Sequence, residues 1–509
     1  MSGLEVSGGA GGVAVGLDTL EVAAGRLRDL SDELSDVAGD IAAVAAHPFF
    51  AVAGVLAPAA SWGCERDLAS AAGPWGAAGE SLALRGLAEA VTACVLSYRA
   101  GEAAAERAVD EADQAVGTAV GAALAPLVLP VAGLTAAGWV VAKGVQRLDA
   151  RWLRPHLRAS LGLTRDVQAE AGPLADRLVY EQPWVLEHLV GGAEGLLTGL
   201  GEGQPLVGLG LAVAARRAGV PYPSASHEDA AATITALGGG LVLDESGFAV
   251  RTTATAVDPA AEGWRRPAGL ADLVANDSPT SGGDQVRVTG LPTADGGYAW
   301  VVDIPGTQTF DVKPGAEPFD MTSNMALVAG GSTLTMAAVS SALADSKARV
   351  GRSAKGVNDP VLLSGHSQGG LTAARLAADP AFRRRHRGVS HVVTSGAPIG
   401  GVTMPKGVSV LSLEHRQDLV PMLDGERNPD SGEWVTVRRD LDDAAERRRS
   451  TAAHENLRYV ETAALLDRQL ADEPSLREWR AGALDFLGAP GGAGAPVVVD
   501  YDVERVPRE

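Results

Sequence analysis

Apolar and polar positions divide the chain into a helical first part and a second part in which strands alternate with helices. From Leu17 to Ala46, apolar residues recur at helical spacing with charged residues between them, which predicts an amphipathic helix. A second helical pattern runs from about Glu80 to Gln114, after a break at Gly73-Pro74. We therefore expect a helical hairpin or a small helical bundle in this part of the chain.

The run 115–142 carries no charged residue and is long enough to cross a bilayer. Pro126, Pro130 and several glycines interrupt it, and its many Ala, Gly and Thr residues are only weakly apolar. We expect this run to be buried inside the helical domain, with contact to a membrane as the alternative that hydropathy alone does not separate.

Short β-type runs bounded by turn residues replace the helical spacing after residue 225. The expected strands lie at residues 241–253 (two strands and a turn), 285–289, 298–304, 361–364, 389–395 and 408–413. Because helical patterns separate several of these runs, the fold class predicted is α/β, with a mostly parallel sheet covered by helices on both faces.

Three parts of the chain follow from these patterns. Residues 1–225 are expected to form an all-α, Ala/Gly-rich domain, and residues 226–487 an α/β domain. Residues 488–509 read as a Gly/Pro-rich spacer followed by one more strand, which we expect to join the edge of the sheet.

Composition narrows the functional classes. The chain has 509 residues, 46% of them hydrophobic, and a formal net charge of −20, so it is long and apolar enough for real cores and unsuited to a nucleic-acid partner. It contains no His-Glu-x-x-His, no paired Cys-x-x-Cys and no glycine run that leads into Gly-Lys-Ser/Thr. We therefore expect no metal and no cofactor. The two cysteines, Cys64 and Cys94, are expected to be free, with a disulfide between helices as the rarer case.

The strongest chemical signal is Gly365-His366-Ser367-Gln368-Gly369, which lies between an apolar run and an Ala-rich helical pattern. A strand, a sharp turn and a helix in this order raise a serine hydroxyl clear of the backbone, while the two glycines let strand and helix meet closely. Ser367 is therefore the candidate nucleophile, against the plainer interpretation of a glycine-rich turn.

A serine nucleophile needs a histidine to accept its proton and a carboxylate to orient that histidine. Asp418 follows a predicted strand and is our candidate acid, with Asp424 as the fallback. His454 lies at the start of a late helix and is our candidate base, with His415 as its rival on the loop of Asp418.

The oxyanion of such a reaction needs two backbone N–H donors that are in place before charge develops. One donor is expected from Gln368, the residue after the nucleophile. The other is expected from the turn at Pro305-Gly306, which follows a predicted strand and leaves the N–H of Thr307 or Gln308 free.

Residues 240–480 resemble the α/β-hydrolase superfamily, most closely its bacterial and fungal-type lipase-like members. The resemblance rests on the Pro305-Gly306-Thr307 loop, the glycine-flanked Ser367, the Asp418-Leu419-Val420-Pro421 loop and His454. It implies a serine hydrolase that works through an acyl-enzyme on acyl esters or lipid-like substrates. The large helical first part departs from small esterases of this kind.

The first hundred residues resemble, more loosely, the helical-hairpin modules of actinobacterial type VII secretion systems. Tyr98-Arg99-Ala100-Gly101-Glu102 matches their Tyr-x-x-x-Asp/Glu signal, whereas their Trp-x-Gly turn is absent, since Trp62-Gly63 and Trp75-Gly76 lack the middle residue. An ordinary solvent-facing Tyr/Glu pair is the plainer interpretation. The resemblance implies contact with secretion machinery.

The start of the chain has no basic region followed by an apolar one, so no conventional cleaved signal peptide is expected. A cytoplasmic location is the default expectation, with type VII export or membrane association as alternatives.

The function expected from the sequence is cleavage of carboxylic esters by a Ser-His-Asp triad, and thioester or amide cleavage would use the same groups. The alternative is a secretion-associated or envelope interaction protein, in which the helices bind partners and the hydrolase fold is secondary or inactive.

Overall fold

The computed structural model describes most of the chain. The described residues are 3–144, 176–177, 180–182, 190–238, 240, 242–259, 266–277, 285–352, 358–442, 448–469, 473–487 and 495–508. Contacts divide the chain into two compact units, Gly12–Val109 and the combination of Met1–Gly11 with Asp110–Glu509. The boundary predicted near residue 225 falls inside the larger unit and stays a prediction. Most of the predicted Gly/Pro-rich spacer lies outside the described residues.

The smaller unit is built from helices alone, and the larger unit combines helices with a sheet. The helices of the described residues are α1 Val13–Ala45, α2 Pro48–Leu56, α3 Pro58–Ala72, α4 Ala77–Gly144, α5 Ala193–Gly203, α6 Pro205–Ala218, α7 His227–Leu237, α8 Leu270–Asn276, α9 Met321–Val328, α10 Leu334–Arg349, α11 Gln368–Ala378, α12 Pro380–Arg385, α13 Ser450–Ala453, α14 Asn456–Gln469 and α15 Pro474–Gly482. The expected helical region in the first part of the chain is confirmed from Val13 onward. The all-α expectation is wrong for the residues before it, because Leu4–Gly8 forms a strand that pairs with residues 435–439 in the sheet of the larger unit.

Helices α1 and α4 run antiparallel in the smaller unit. The hydroxyls of Ser31 and Ser81 each donate to the other residue's carbonyl, at 2.9 and 2.8 Å. Further along the pair, Arg99 of α4 donates to Asp18 of α1 at 2.7 Å. Small buried residues therefore let the two helices approach closely, and ion pairs flank their contact.

The uncharged run 115–142 forms part of α4. Its side chains from residue 123 onward lie outside the described residues, so the expected burial stays a prediction. No helix among the described residues meets the combined length and apolarity that a membrane crossing requires.

A nine-stranded mixed sheet is the centre of the larger unit. Its strands are β1 Leu4–Gly8, β2 Phe248–Val257, β3 Gln285–Pro292, β4 Tyr298–Ile304, β5 Val361–His366, β6 Val389–Ser395, β7 Ser409–His415, β8 Trp434–Arg439 and β9 Val497–Pro507. Their order is β1-β8-β7-β6-β5-β4-β3-β9-β2. Strands β4 to β8 run parallel, and the remaining pairings are antiparallel. The carboxyl ends of β4 to β8 therefore share one edge of the sheet.

Apolar side chains cover both faces of the parallel strands. Val302 and Leu363 pack in a core with α10 and α11, whereas Val301 and Leu362 pack on the opposite face with α8, α14 and α15. Strands buried on both faces read as continuous apolar runs, which is why the sequence pattern located them. The α/β class predicted for this part of the chain is confirmed.

The strands on the far side of β4 differ in detail from the expectation. Residues 285–292 and 298–304 form the predicted hairpin, but the pattern at 241–253 contributes one strand, β2. Leu243 has a φ of 55° and donates its N–H to Val312, so the backbone there leaves the extended conformation. Strand β9 lies between β3 and β2 and pairs with both, and so it is not the edge strand that we expected.

Candidate active site

Ser367 lies in a sharp turn between β5 and α11, at the carboxyl edge of the parallel strands. Its φ of 57° falls in the left-handed region, which residues other than glycine rarely adopt, so the surrounding structure must hold the backbone there. A Cβ at Gly365 would lie 2.3 Å from the carbonyl carbon of Gly369, and one at Gly369 would lie 2.1 Å from the Ile304 oxygen. The two glycines therefore permit the close crossing of strand and helix that raises the hydroxyl.

The structure brings the three candidate catalytic side chains together in one hydrogen-bonded row. His454 Nε2 lies 2.9 Å from Ser367 Oγ, and His454 Nδ1 lies 2.7 Å from Asp418 Oδ2. A carboxylate accepts from Nδ1–H, which leaves Nε2 free to accept the serine proton. The imidazole thus has the tautomer and orientation of a general base.

Asp418 is completely buried and its two oxygens are satisfied by further donors. The Val420 N–H donates to Oδ1 at 2.9 Å, and the Tyr459 hydroxyl donates to Oδ2 at 2.7 Å. Burial, and then the neighbouring Asp418 charge, raise the pKa of Tyr459 well above its usual value, so this hydroxyl keeps its proton. The sequence analysis did not identify Tyr459, although this residue lies on α14, shortly after His454 in the chain.

The rival groups point elsewhere. His415 is hydrogen-bonded through Nδ1 to the Ala453 carbonyl and through Nε2 to the Thr462 hydroxyl, both at 2.8 Å. Asp424 accepts the N–H groups of Gly401 and Glu426, and burial raises its pKa to about 6. Neither group contacts Ser367 or His454 within the described residues.

His366 is a second contact of the base that sequence reasoning did not assign. Its Nε2–H donates to the His454 carbonyl at 2.7 Å, and the two rings lie 4.5 Å apart. Burial, and then the nearby His454, lower the pKa of His366 to about 3. His366 is therefore neutral at ordinary pH and fixes the backbone that carries the base.

The oxyanion candidates differ in what their N–H groups contact. Gln368 is the first residue of α11, where a helix leaves the N–H without an intrahelical acceptor. Gly306 brings its turn beside the nucleophile, since a Cβ there would lie 3.3 Å from Ser367 Cβ. The Gln308 N–H donates to the Phe319 carbonyl at 2.8 Å, so it is not free and is removed from the candidates. Thr307 and Gln368 remain.

A second group of buried acids surrounds the sheet position just before this turn. Asp303 on β4 stands opposite Ser364 on β5 and Arg287 on β3, and Arg287 donates to Asp500 from Nε at 2.7 Å. Burial raises the pKa of Asp303 to about 7, with Arg287 opposing the shift and Asp500 adding to it. Burial raises the pKa of Asp277 as well, and the Asp303 charge adds to that shift. Both carboxyls therefore keep their protons to a higher pH than an exposed aspartate does.

Metal-ligating side chains do not assemble in the part of the chain that the structure describes. No group of three or more His, Cys, Asp or Glu residues there is placed to hold a metal ion. Cys64 and Cys94 are both free and exposed.

No protein-family model, curated protein sequence or solved structure matches the chain.

Proposed function

We propose that the chain is a serine hydrolase of the α/β-hydrolase fold that cleaves carboxylic esters in a lipase-like or esterase-like manner. The observation that carries the proposal is His454, which bridges the Ser367 hydroxyl and the buried Asp418 carboxylate at 2.9 and 2.7 Å. The order serine, acid, histidine along the chain and the parallel strands β4 to β8 around the turn support the fold assignment.

In the first half of the reaction, Ser367 Oγ forms a bond to the acyl carbon while its proton passes to His454 Nε2. The carbonyl oxygen becomes an oxyanion that accepts hydrogen bonds from the N–H groups of Thr307 and Gln368. Collapse of this intermediate breaks the ester C–O bond, and the leaving oxygen takes the proton from His454. An acyl-enzyme and a free alcohol result.

In the second half, water attacks the acyl-enzyme while His454 accepts its proton. The new intermediate collapses, the C–O bond to Ser367 breaks, and His454 returns the proton to the serine oxygen. Asp418 stabilises the imidazolium in both halves and does not itself take the proton. The acyl group leaves as a carboxylic acid, which then releases its remaining proton to water.

The proposed substrates are acyl esters or lipid-like esters. Thioesters and amides present the same carbonyl to the same groups. The site geometry therefore supports acyl transfer to Ser367 in general and does not select one leaving group.

A fluorophosphonate probe tests the proposal, because it phosphonylates an activated serine and ignores ordinary ones. We expect the wild type to be labelled and Ser367→Ala to lose all labelling. Ser364→Ala is the matched control, since Ser364 is a buried serine of β5 whose hydroxyl lies beside the Asp277 carboxyl and not beside the triad. Two outcomes contradict the proposal. One is that Ser364→Ala loses labelling while Ser367→Ala keeps it, and the other is that the wild type is not labelled at all. Hydrolysis of p-nitrophenyl esters of increasing acyl length then defines the substrate.

The second candidate is a partner-binding protein with an inactive hydrolase fold. The observation that favours it is the exposure of large apolar side chains in the smaller unit, where Trp62 is 79% and Trp75 is 97% exposed. An unlabelled wild type that folds normally supports this candidate over the enzyme.

A further inference from the structure

Arg505, on strand β9, is a completely buried arginine whose side chain contacts the segment 305–320, which we call the strap. Its guanidinium donates to Asp320 Oδ2 at 2.7 Å and Oδ1 at 3.2 Å, and to the Glu317 carbonyl at 3.0 Å. It also donates to Glu245 Oε2 at 2.9 Å, while its backbone N–H donates to the Ala316 carbonyl. One side chain therefore fixes the end of the strap in several directions.

Asp320 carries this restraint towards the candidate oxyanion donors by two routes. Its carboxylate accepts the Ser323 N–H at 3.0 Å and so caps α9, whose residue Asn324 donates to Thr307 Oγ1 at 3.0 Å. Its carbonyl accepts the Gln368 side-chain amide at 3.2 Å. Both residues that would hold the oxyanion are thus anchored on the first turn of α9.

The strap also closes on itself. The N–H groups of Gln308 and Thr309 both donate to the Phe319 carbonyl, at 2.8 and 3.3 Å, and Phe319 is completely buried. Displacement of Asp320 would therefore move its neighbour Phe319 and the turn that carries Thr307.

We infer that Arg505 is a positioning residue for the reaction, holding the N–H groups of Thr307 and Gln368 in place through Asp320. The inference rests on the proposed function. Oxyanion donors stabilise charge only when they are arranged before it develops, and a misplacement of about 1 Å costs about 100-fold in rate. Arginine suits this position because its planar fork binds a carboxylate and nearby carbonyls at once, whereas lysine offers a compact point charge.

Arg505→Lys and Arg287→Lys make a matched pair for the test. Both arginines are buried, and each binds a buried aspartate with its fork, but Arg287 binds Asp500 within the sheet, and no hydrogen bond between described residues joins it to the strap. General loss of packing therefore affects both variants, whereas loss of oxyanion positioning affects only Arg505→Lys.

The two measurements are ester hydrolysis and inhibition by a trifluoromethyl ketone. The ketone accepts Ser367 Oγ at its carbonyl carbon, its oxygen becomes an oxyanion, and the serine proton moves to His454, so its affinity reports the oxyanion donors. We expect Arg505→Lys to lower kcat about 10- to 100-fold and to weaken the ketone by the same factor, with KM changed less than about twofold. Arg287→Lys is expected to lower the unfolding midpoint in urea and to keep kcat and the ketone affinity.

Asn324→Ala provides a second variant that leaves the buried ion pair intact. It removes the restraint on Thr307, and we expect kcat and ketone affinity to fall together by about 10-fold. The inference is overturned when an active wild type shows equal kcat losses in Arg505→Lys and Arg287→Lys, or when Asn324→Ala retains full ketone affinity. An inactive, unlabelled wild type instead removes the proposed function itself, and the inference with it.

Discussion

The two units of the chain differ in their ion pairs, because among the described residues only the larger unit buries any of them. In Gly12–Val109 the ion pairs lie at the surface, such as Arg99 with Asp18, whose side chains are 41% and 69% exposed. The buried residues of that unit, among those whose side chains are described, are Ala24, Ser31, Ser61, Ser81, Ala88 and Val95. In the larger unit the pairs of Arg505 with Asp320 and Arg287 with Asp500 are buried.

The difference determines where single substitutions have large effects. An exposed ion pair is screened by water and contributes about 0–1 kcal/mol, whereas breaking a buried one leaves an unpaired charge and costs about 3–5 kcal/mol. Buried contacts, and not exposed ion pairs, hold the candidate catalytic groups in place. We therefore expect substitutions of the buried groups in the sheet unit to change activity or stability strongly, and surface substitutions in the helical unit to change little.

The largest expected effect is that of Asp418→Asn on ester hydrolysis. An amide at this position offers N–H to the imidazole Nδ1 and stabilises the tautomer that carries its proton on Nε2, where it no longer accepts from Ser367. By analogy with the corresponding change in other Ser-His-Asp enzymes, kcat should fall about 10⁴-fold. Asp424→Asn is the control, because Asp424 contacts backbone N–H groups away from the base. Equal losses in the two variants contradict the assignment of Asp418.

The next effect compares glycines of the two units by urea unfolding. In Gly369→Ala the new Cβ meets the Ile304 carbonyl at 2.1 Å, so strand and helix must separate, and we expect a loss of about 3 kcal/mol in unfolding free energy. At Gly86, inside α4, such a Cβ would meet no atom within 4 Å beyond the neighbouring residues and the backbone of its own helix. Gly86→Ala should therefore stabilise its helix by about 0.5–1 kcal/mol. Similar losses at both positions would remove the distinction between the two units.

A smaller effect is expected in the pH dependence of stability. The pKa of Asp303 is higher in the folded chain than its usual value of about 4, so the folded state holds the proton that the unfolded state releases. This contribution to stability is present below pH 4 and is lost as the pH rises through about 7.

Asp303→Asn removes this titration, because the amide stays neutral at every pH. Measured by urea unfolding, the variant should gain about 2–3 kcal/mol relative to the wild type between pH 5 and pH 8. Parallel curves for the two proteins would show that Asp303 does not bind the extra proton.

The sequence predicts those parts of the site that local pattern controls. Ser367 needs a strand, two glycines and a helix in direct succession, and Asp418 follows a strand that the β-type run 408–413 predicts. The contacts that place these groups depend on the tertiary fold. Arg505 and Asp320 are 185 residues apart in the chain, and no local pattern pairs them.

The candidate Gln308 illustrates the same limit. A Pro-Gly turn leaves the next N–H groups free locally, but the Phe319 carbonyl at the other end of the strap accepts this one. The edge of the sheet illustrates it again. We expected β9 to join that edge, but β2 lies there, because β9 pairs with a strand on each of its sides and only the tertiary fold sets that pairing.

The smallest expected effect comes from Arg99→Ala in the helical unit. Arg99 donates to Asp18 and Glu21 across the pair of antiparallel helices, but all three side chains are at least 41% exposed. Water and salt screen these pairs, so the unfolding free energy should change by less than about 1 kcal/mol, and less still in high salt. Ester hydrolysis should be unchanged. A loss comparable to that of Gly369→Ala in urea unfolding would mean that the surface pairs of this unit stabilise it as buried pairs do.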